Sequence, residues 1–218
     1  MAKKKSNVKV KKVNIIILVL VIILVALLIS LYFVGKDSFK KKGKTKEVEV
    51  VDKIDNFDYY ITENNTKYFE KLYNELKKVL SSDNIDEEKY ATLISQLFVA
   101  DFYDLNSKVS KNDVGGVQFI SSKSNFREIF VKKASSYDGM YYSVKNNLYG
   151  TRKQNLPQVK ETNVTSIKNT TFSNDDFKDN KAYTVNVEIT YASDLGYQKN
   201  VVLTVIHNEK KLEIAEVR

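Results

Sequence analysis

Ile15 to Val34 reads IIILVLVIILVALLISLYFV, a run of twenty residues in which Ser30 is the only strongly polar side chain. At about 1.5 Å per residue a helix of this length reaches roughly 30 Å, the hydrocarbon thickness of a bilayer. A cleaved signal peptide would carry a shorter apolar stretch, about 7–15 residues, followed by a small-x-small cleavage site. Here the exit is Leu31-Tyr32-Phe33-Val34-Gly35, which is bulky. The segment therefore predicts an uncleaved signal anchor. The division that follows is a basic cytoplasmic tail at 1–13, a transmembrane helix at 14–35, a Lys-rich linker and extended segment at 36–60, and an extracytoplasmic α+β domain at 61–218.

Charge is distributed unevenly around that run. The chain carries 35 Lys and Arg against 27 Asp and Glu, a formal charge of +8. Six Lys lie in 1–13 with no acid, and six more lie in 36–46 against Asp37 alone. Removing those twelve Lys and that Asp leaves 23 basic and 26 acidic residues in 47–218, a net of −3. The basic balance belongs to the flanks of the apolar run, so nucleic acid is not an expected partner, because such a domain should carry its own basic face. The purely basic tail favours a cytoplasmic N-terminus with the domain outside the cell membrane.

Beyond the linker the hydrophobic period is helical three times. Phe69, Leu72, Tyr73, Leu76, Val79 and Leu80 share one face, with Asn65 or Thr66 as N-cap. The second helix opens at Asp86, with Glu87 and Glu88 favourably placed on the helix dipole, and carries Tyr90, Leu93, Ile94, Leu97 and Phe98 towards Phe102. The third is expected from about Ser124 to Val144, with Gly139 costing about 1 kcal/mol and marking a bend or break. A turn and short strand are expected at Asp113–Ile120 between the second and third. The period then changes to two: Tyr183, Val185, Val187, Ile189 and Tyr191 alternate with Thr184, Asn186, Glu188 and Thr190. Strands at Gln198–Ile206 and Leu212–Val217, with an earlier one inside Val159–Thr171, complete an antiparallel meander whose apolar face the helices must cover.

This order of elements resembles the cone-shaped α+β fold of the nuclear-transport-factor-2-like superfamily, with three helices packed on a curved antiparallel sheet. Joined to a short basic tail and one membrane span, it is similar to the bitopic assembly factors of type IV secretion and conjugation channels. The resemblance covers about Asn64 to Val217 and rests on element order. The Asn-Pro-x-Gly turn frequent in the Gram-negative factors is replaced here by Asn155-Leu156-Pro157-Gln158.

Motifs that carry chemistry are sparse. The chain has no Cys and one His, which removes disulfides, thiolate sites and any centre needing two imidazoles. No metal and no cofactor are expected. Ser38–Thr45 ends like a P-loop but lacks its first Gly and follows an apolar run instead of a parallel strand, so it reads as linker. His207 reads as a surface residue of a hairpin turn. Asp101 lies close to the apolar stripe of the second helix. Some enzymes of the resembled superfamily place a carboxylate and a Tyr inside the cone, and Asp101 with Tyr141 or Tyr142 would fill those roles; these three are the candidate pocket residues. The competing reading has Asp101 facing solvent or capping a turn, in which case Asp101→Asn leaves the fold nearly unchanged.

The expectation is a membrane-anchored, non-enzymatic module. The resemblance implies that it scaffolds a bacterial envelope complex, a secretion or conjugation channel, with the lipid bilayer, other envelope proteins and a homo-oligomer as partners. The alternative is an extracytoplasmic ligand-binding or sensing domain that uses the interior of the cone.

Overall fold

A computed structural model describes residues 49–123, 125–144 and 154–218. The chain enters through a hairpin, β1 (Val50–Ile54) and β2 (Tyr59–Thr62), turned by Asn56 and Asp58 at positive φ. Thr66 then caps α1 (Lys67–Leu80) by accepting from the Phe69 amide at 3.2 Å, and Lys77 and Lys78 sit in its last turn where the dipole favours cations. Its buried side chains, Phe69, Leu72, Tyr73, Leu76 and Leu80, form the single stripe of an amphipathic helix.

Helix α2 (Glu87–Phe102) is different. Asp86 caps it through the Lys89 amide at 2.9 Å, but burial then runs around nearly its whole circumference, from Tyr90 and Ala91 to Val99, Ala100 and Phe102. A helix apolar on most sides must be covered on most sides. α1 packs against it, and α2 in turn touches all four strands of the main sheet: β3 (Val159–Ser173), β4 (Lys178–Tyr191), β5 (Asn200–Asn208) and β6 (Lys211–Val217). These strands form an antiparallel meander in the order β3-β4-β5-β6. Tyr183 faces Val205, Val185 faces Leu203 and Val187 faces Val201, so the alternation of β4 meets an apolar row on β5. The space between α2 and the sheet is filled by Leu93, Ile94, Leu97, Val185, Leu203, Val205 and Ile214, each fully buried.

The hairpin belongs to the same core. Tyr59 is fully buried, and its hydroxyl donates to the Leu212 carbonyl at 2.6 Å and meets the Tyr90 hydroxyl at 2.7 Å. Val48–Arg218 form one compact unit.

The architecture corrects the expected fold. Among the described residues no helix is long and apolar enough to cross a membrane, and the transmembrane helix expected at 14–35 lies outside those residues, as does the expected linker segment up to residue 48. The expected cone of three helices on one sheet is replaced by a mixed helix/sheet domain in which α2 is the helix laid on a four-stranded antiparallel sheet. α1 is held by α2 and by Tyr68, whose hydroxyl reaches Thr162 of β3. The third helix, α3 (Phe126–Ser135), inserts Phe130 against Phe98 and Phe102 at the end of α2. The physical reason is the all-round apolarity of α2, which uses one side for the sheet and the others for its neighbours.

Two element boundaries also change. The strand expected at Asp113–Ile120 is a loop closing in a 3₁₀ turn, Val117–Phe119, and only Ile120 bridges to Ile214 of β6. Helix α3 stops at Ser135, nine residues short of the expected end at Val144. Gly139 explains the stop: a Cβ there would lie 2.4 Å from the carbonyl oxygens of Lys133 and Ala134, so the chain folds back onto the helix end where only glycine fits.

Candidate functional site

Asp101 and Tyr141 do converge, and they converge on backbone. Asp101, in the last turn of α2, accepts from the Gly116 amide at 2.7 Å and pairs with Lys108, whose side chain is 8 % exposed. The Tyr141 hydroxyl accepts from the neighbouring Gly115 amide at 2.9 Å and donates to the Phe102 carbonyl at 2.7 Å. Both hydroxyl lone-pair and proton are thus engaged, and burial, followed by the nearby Asp101 charge, holds the Tyr141 phenol well above its ordinary pKa. Tyr142 stays outside this arrangement: its ring lies 4.8 Å from that of exposed Tyr137.

The clamp exists because the loop must pass close to α2. A Cβ on Gly115 would lie 2.3 Å from the Asp101 carbonyl oxygen, and Gly116 sits at φ +73° against the Phe98 ring. Beside it opens a polar cleft of about 300 Å³ between the hairpin and the loop, lined by Tyr60, Asn65, Asp101, Lys108, Asp113 and Gly115 among others. Of the three candidate residues only Asp101 borders this cleft, Tyr141 being buried behind the loop, and the space between α2 and the sheet is filled.

Three buried carboxylates carry no signature in local sequence. Asp104 accepts from the Ser107 amide at 3.1 Å and the Val159 amide at 3.0 Å, tying the loop after α2 to the start of β3. Burial raises its pKa, against the opposing effect of those amides. Glu213 on β6, 2 % exposed, accepts from the Ser122 amide at 2.9 Å and from Asn208 Nδ2 at 3.0 Å. Asp179 on β4 accepts from the amides of His207 and Lys181, both at 2.8 Å, and lies 2.9 Å from His207 Nδ1.

That last contact corrects the position of His207. It lies in strand β5, one residue before its end at Asn208, instead of sitting in the turn, which is formed by Glu209 and Lys210. Its Nε2 is buried without a hydrogen-bond partner, 3.7 Å from Glu87 Oε2. The signal was weak: Asp179 is 28 residues away, and one His between two strands has no spacing to read. Among the described residues no group of three or more His, Asp or Glu side chains is arranged to hold a metal ion.

A second surface lies at α3. Ile129 is 60 % exposed and Tyr137 is 81 % exposed, with Met140 beside an apolar groove of about 580 Å³ formed by Phe102, Phe126, Phe130 and Val217. Compared with known proteins, the chain matches no family model, no curated protein and no solved structure.

Proposed function

We propose that this chain is a membrane-held, non-enzymatic scaffold of a cell-envelope complex, with Val48–Arg218 outside the membrane. The observation that carries the reading is the use of three buried carboxylates and the half-buried Asp101. Asp101, Asp104, Asp179 and Glu213 each accept at least one backbone amide, so each acts as a brace for a loop or strand end. Catalysis needs an acid or base with a proton to exchange and a substrate within reach, and these four are committed to the fold. Attachment is supported by sequence: the apolar run Ile15–Val34 with Lys-rich flanks on both sides. A domain confined near a membrane meets neighbours there at raised effective concentration, so weak contacts suffice.

Two measurements test it. Protease added to intact protoplasts is expected to remove the domain while a cytoplasmic marker stays whole. Crosslinking in cells expressing the full chain, followed by purification from solubilised membranes, is expected to recover a reproducible set of other envelope proteins. A chain found in the soluble fraction, or protected from protease, overturns the reading.

The cleft supports a second reading, a sensing domain for a small polar ligand. Its volume and polar lining suit such a molecule, which would compete with Asp101 for Lys108 and with the Tyr60 backbone for the Gln118 amide.

A further inference from the structure

We propose that the face formed by α3 and the turn after it docks on an anionic lipid surface, which rests on the membrane-held reading above. Ile129, Tyr137 and Met140 are 60 %, 81 % and 36 % exposed, and Ile129 and Met140 line the apolar groove. Isoleucine and methionine reach into the acyl region, while a tyrosine suits the headgroup level, with an apolar ring and a polar tip. The groove behind them, about 580 Å³ with Phe126, Phe130 and Val217 in its walls, continues the apolar surface inward.

Charge selects the occupant. Residues 47–218 carry a net of −3, yet the exposed Lys132 and Lys133 follow Ile129 by three and four residues and so share its side of α3. At the groove Glu216 is paired with Arg218 beside Asp138, while Lys123 and Arg127 are engaged elsewhere, over the Phe177 ring and on the Ile120 carbonyl. Lys132 and Lys133 are both exposed in the last turn of α3. Exposed lysines beside protruding apolar side chains, on a domain of net negative charge, are complementary to anionic headgroups. Chain length permits the contact: fifteen residues separate Val34 from Val50, at most about 50 Å of extended chain.

The chain has no Cys, so single cysteines label cleanly. Full-length protein carrying Ile129→Cys, Tyr137→Cys or, as control, Asp176→Cys is labelled with an environment-sensitive fluorophore. Each is reconstituted into phosphatidylcholine–phosphatidylglycerol vesicles containing a lipid-borne quencher. Probes at 129 and 137 are expected to be quenched several-fold more than the probe at 176. The difference should collapse in phosphatidylcholine alone and with Lys132→Glu plus Lys133→Glu. Vesicle-bound protein with equal quenching at all three sites overturns the docking proposal and leaves the membrane-held reading standing. Failure of the full chain to float with vesicles overturns both. Blue-shifted but unquenched probes on a crosslinkable dimer, or on a chain bound to another protein, replace the lipid with that occupant.

Discussion

The Gly116 amide donates to Asp101 Oδ2 across 2.7 Å, fastening the loop that follows α2 back onto the helix it has just left. The Asp101 carboxylate also neutralises Lys108, whose side chain is 92 % withdrawn from solvent, being 8 % exposed. From sequence, Asp101→Asn was expected to be silent for the fold; the pair reverses that. An asparagine still accepts from Gly116 but leaves a buried ammonium without its counter-charge, a loss on the order of 3–5 kcal/mol. Asp101→Asn is therefore expected to lower the urea midpoint clearly. Adding Lys108→Met should recover much of the loss, since replacing both partners removes the uncompensated charge. An unchanged midpoint in the single variant would show that the clamp does not bear on stability.

The two glycines of that loop should differ from each other. Gly116→Ala places a side chain at φ +73°, a strain of about 1–2 kcal/mol, with its Cβ 2.7 Å from an edge atom of the Phe98 ring. In Gly115→Ala the new Cβ falls 2.3 Å from the Asp101 carbonyl oxygen, and helix backbone does not yield as a ring does. Gly115→Ala is expected to be the more damaging substitution, measured by thermal melting of both variants side by side.

Leu97→Asp tests the central helix. Leu97 is fully buried between α2 and the sheet, where a carboxylate finds no partner. The cost of an unpaired buried charge approaches the whole stability of a domain, about 5–15 kcal/mol. The variant is expected to be unfolded by circular dichroism, whereas Leu97→Met, conserving volume, should lose under about 1.5 kcal/mol. A folded Leu97→Asp domain would remove α2 from the core.

What could be read in advance was what is local. Thr66 and Asp86 announce the starts of α1 and α2 because a cap and its amides lie within three residues. The alternation of Tyr183 to Ile189 reveals β4 because a side chain's face follows from its parity. The misses involve partners distant in the chain. Gly115 and Gly116 serve a loop that crosses α2 fifteen residues away from Asp101, and His207 is oriented by Asp179 across two strands. The third helix was overextended because Phe126, Phe130 and Tyr141 keep a helical period across the fold-back at Gly139, which is fixed by tertiary contact. Asp101 was set beside Tyr141 or Tyr142 only through the resemblance to the cone, and that Asp101 and Tyr141 hold the adjacent amides of Gly116 and Gly115 left no mark in the sequence.

The hydroxyl of Tyr59 donates to the Leu212 carbonyl at 2.6 Å, and the Tyr90 hydroxyl accepts from the Leu212 amide at 3.0 Å. Together they join hairpin, helix and β6 at one residue. Tyr59→Phe keeps the ring, with its neighbours Phe119 and Lys211, but orphans a buried carbonyl, at a cost of about 1–3 kcal/mol. The expected result is a lower urea midpoint at unchanged slope. No change would mean that Tyr90 or water satisfies the carbonyl in its place.

Asp179 should make the domain acid-sensitive. Burial alone would raise its carboxyl, but the amides of His207 and Lys181 and the His207 ring outweigh it and hold the pKa below its ordinary 3.8. The folded state therefore binds that proton less tightly than the unfolded chain does. Its contribution is complete above about pH 4 and drains away as pH falls through the folded value, because there the unfolded chain takes up the proton first. Glu87, Tyr183 and His207 surround the same point, so Asp179 must be isolated by substitution. Urea midpoints measured from pH 6 down to pH 2.5 are expected to fall for the natural chain. For Asp179→Asn they should start lower and fall less, since the neutral amide has no proton to gain while it loses one acceptor for the two amides. Parallel curves for the two proteins would assign the acid limb to other carboxylates and leave Asp179 as a strand brace alone.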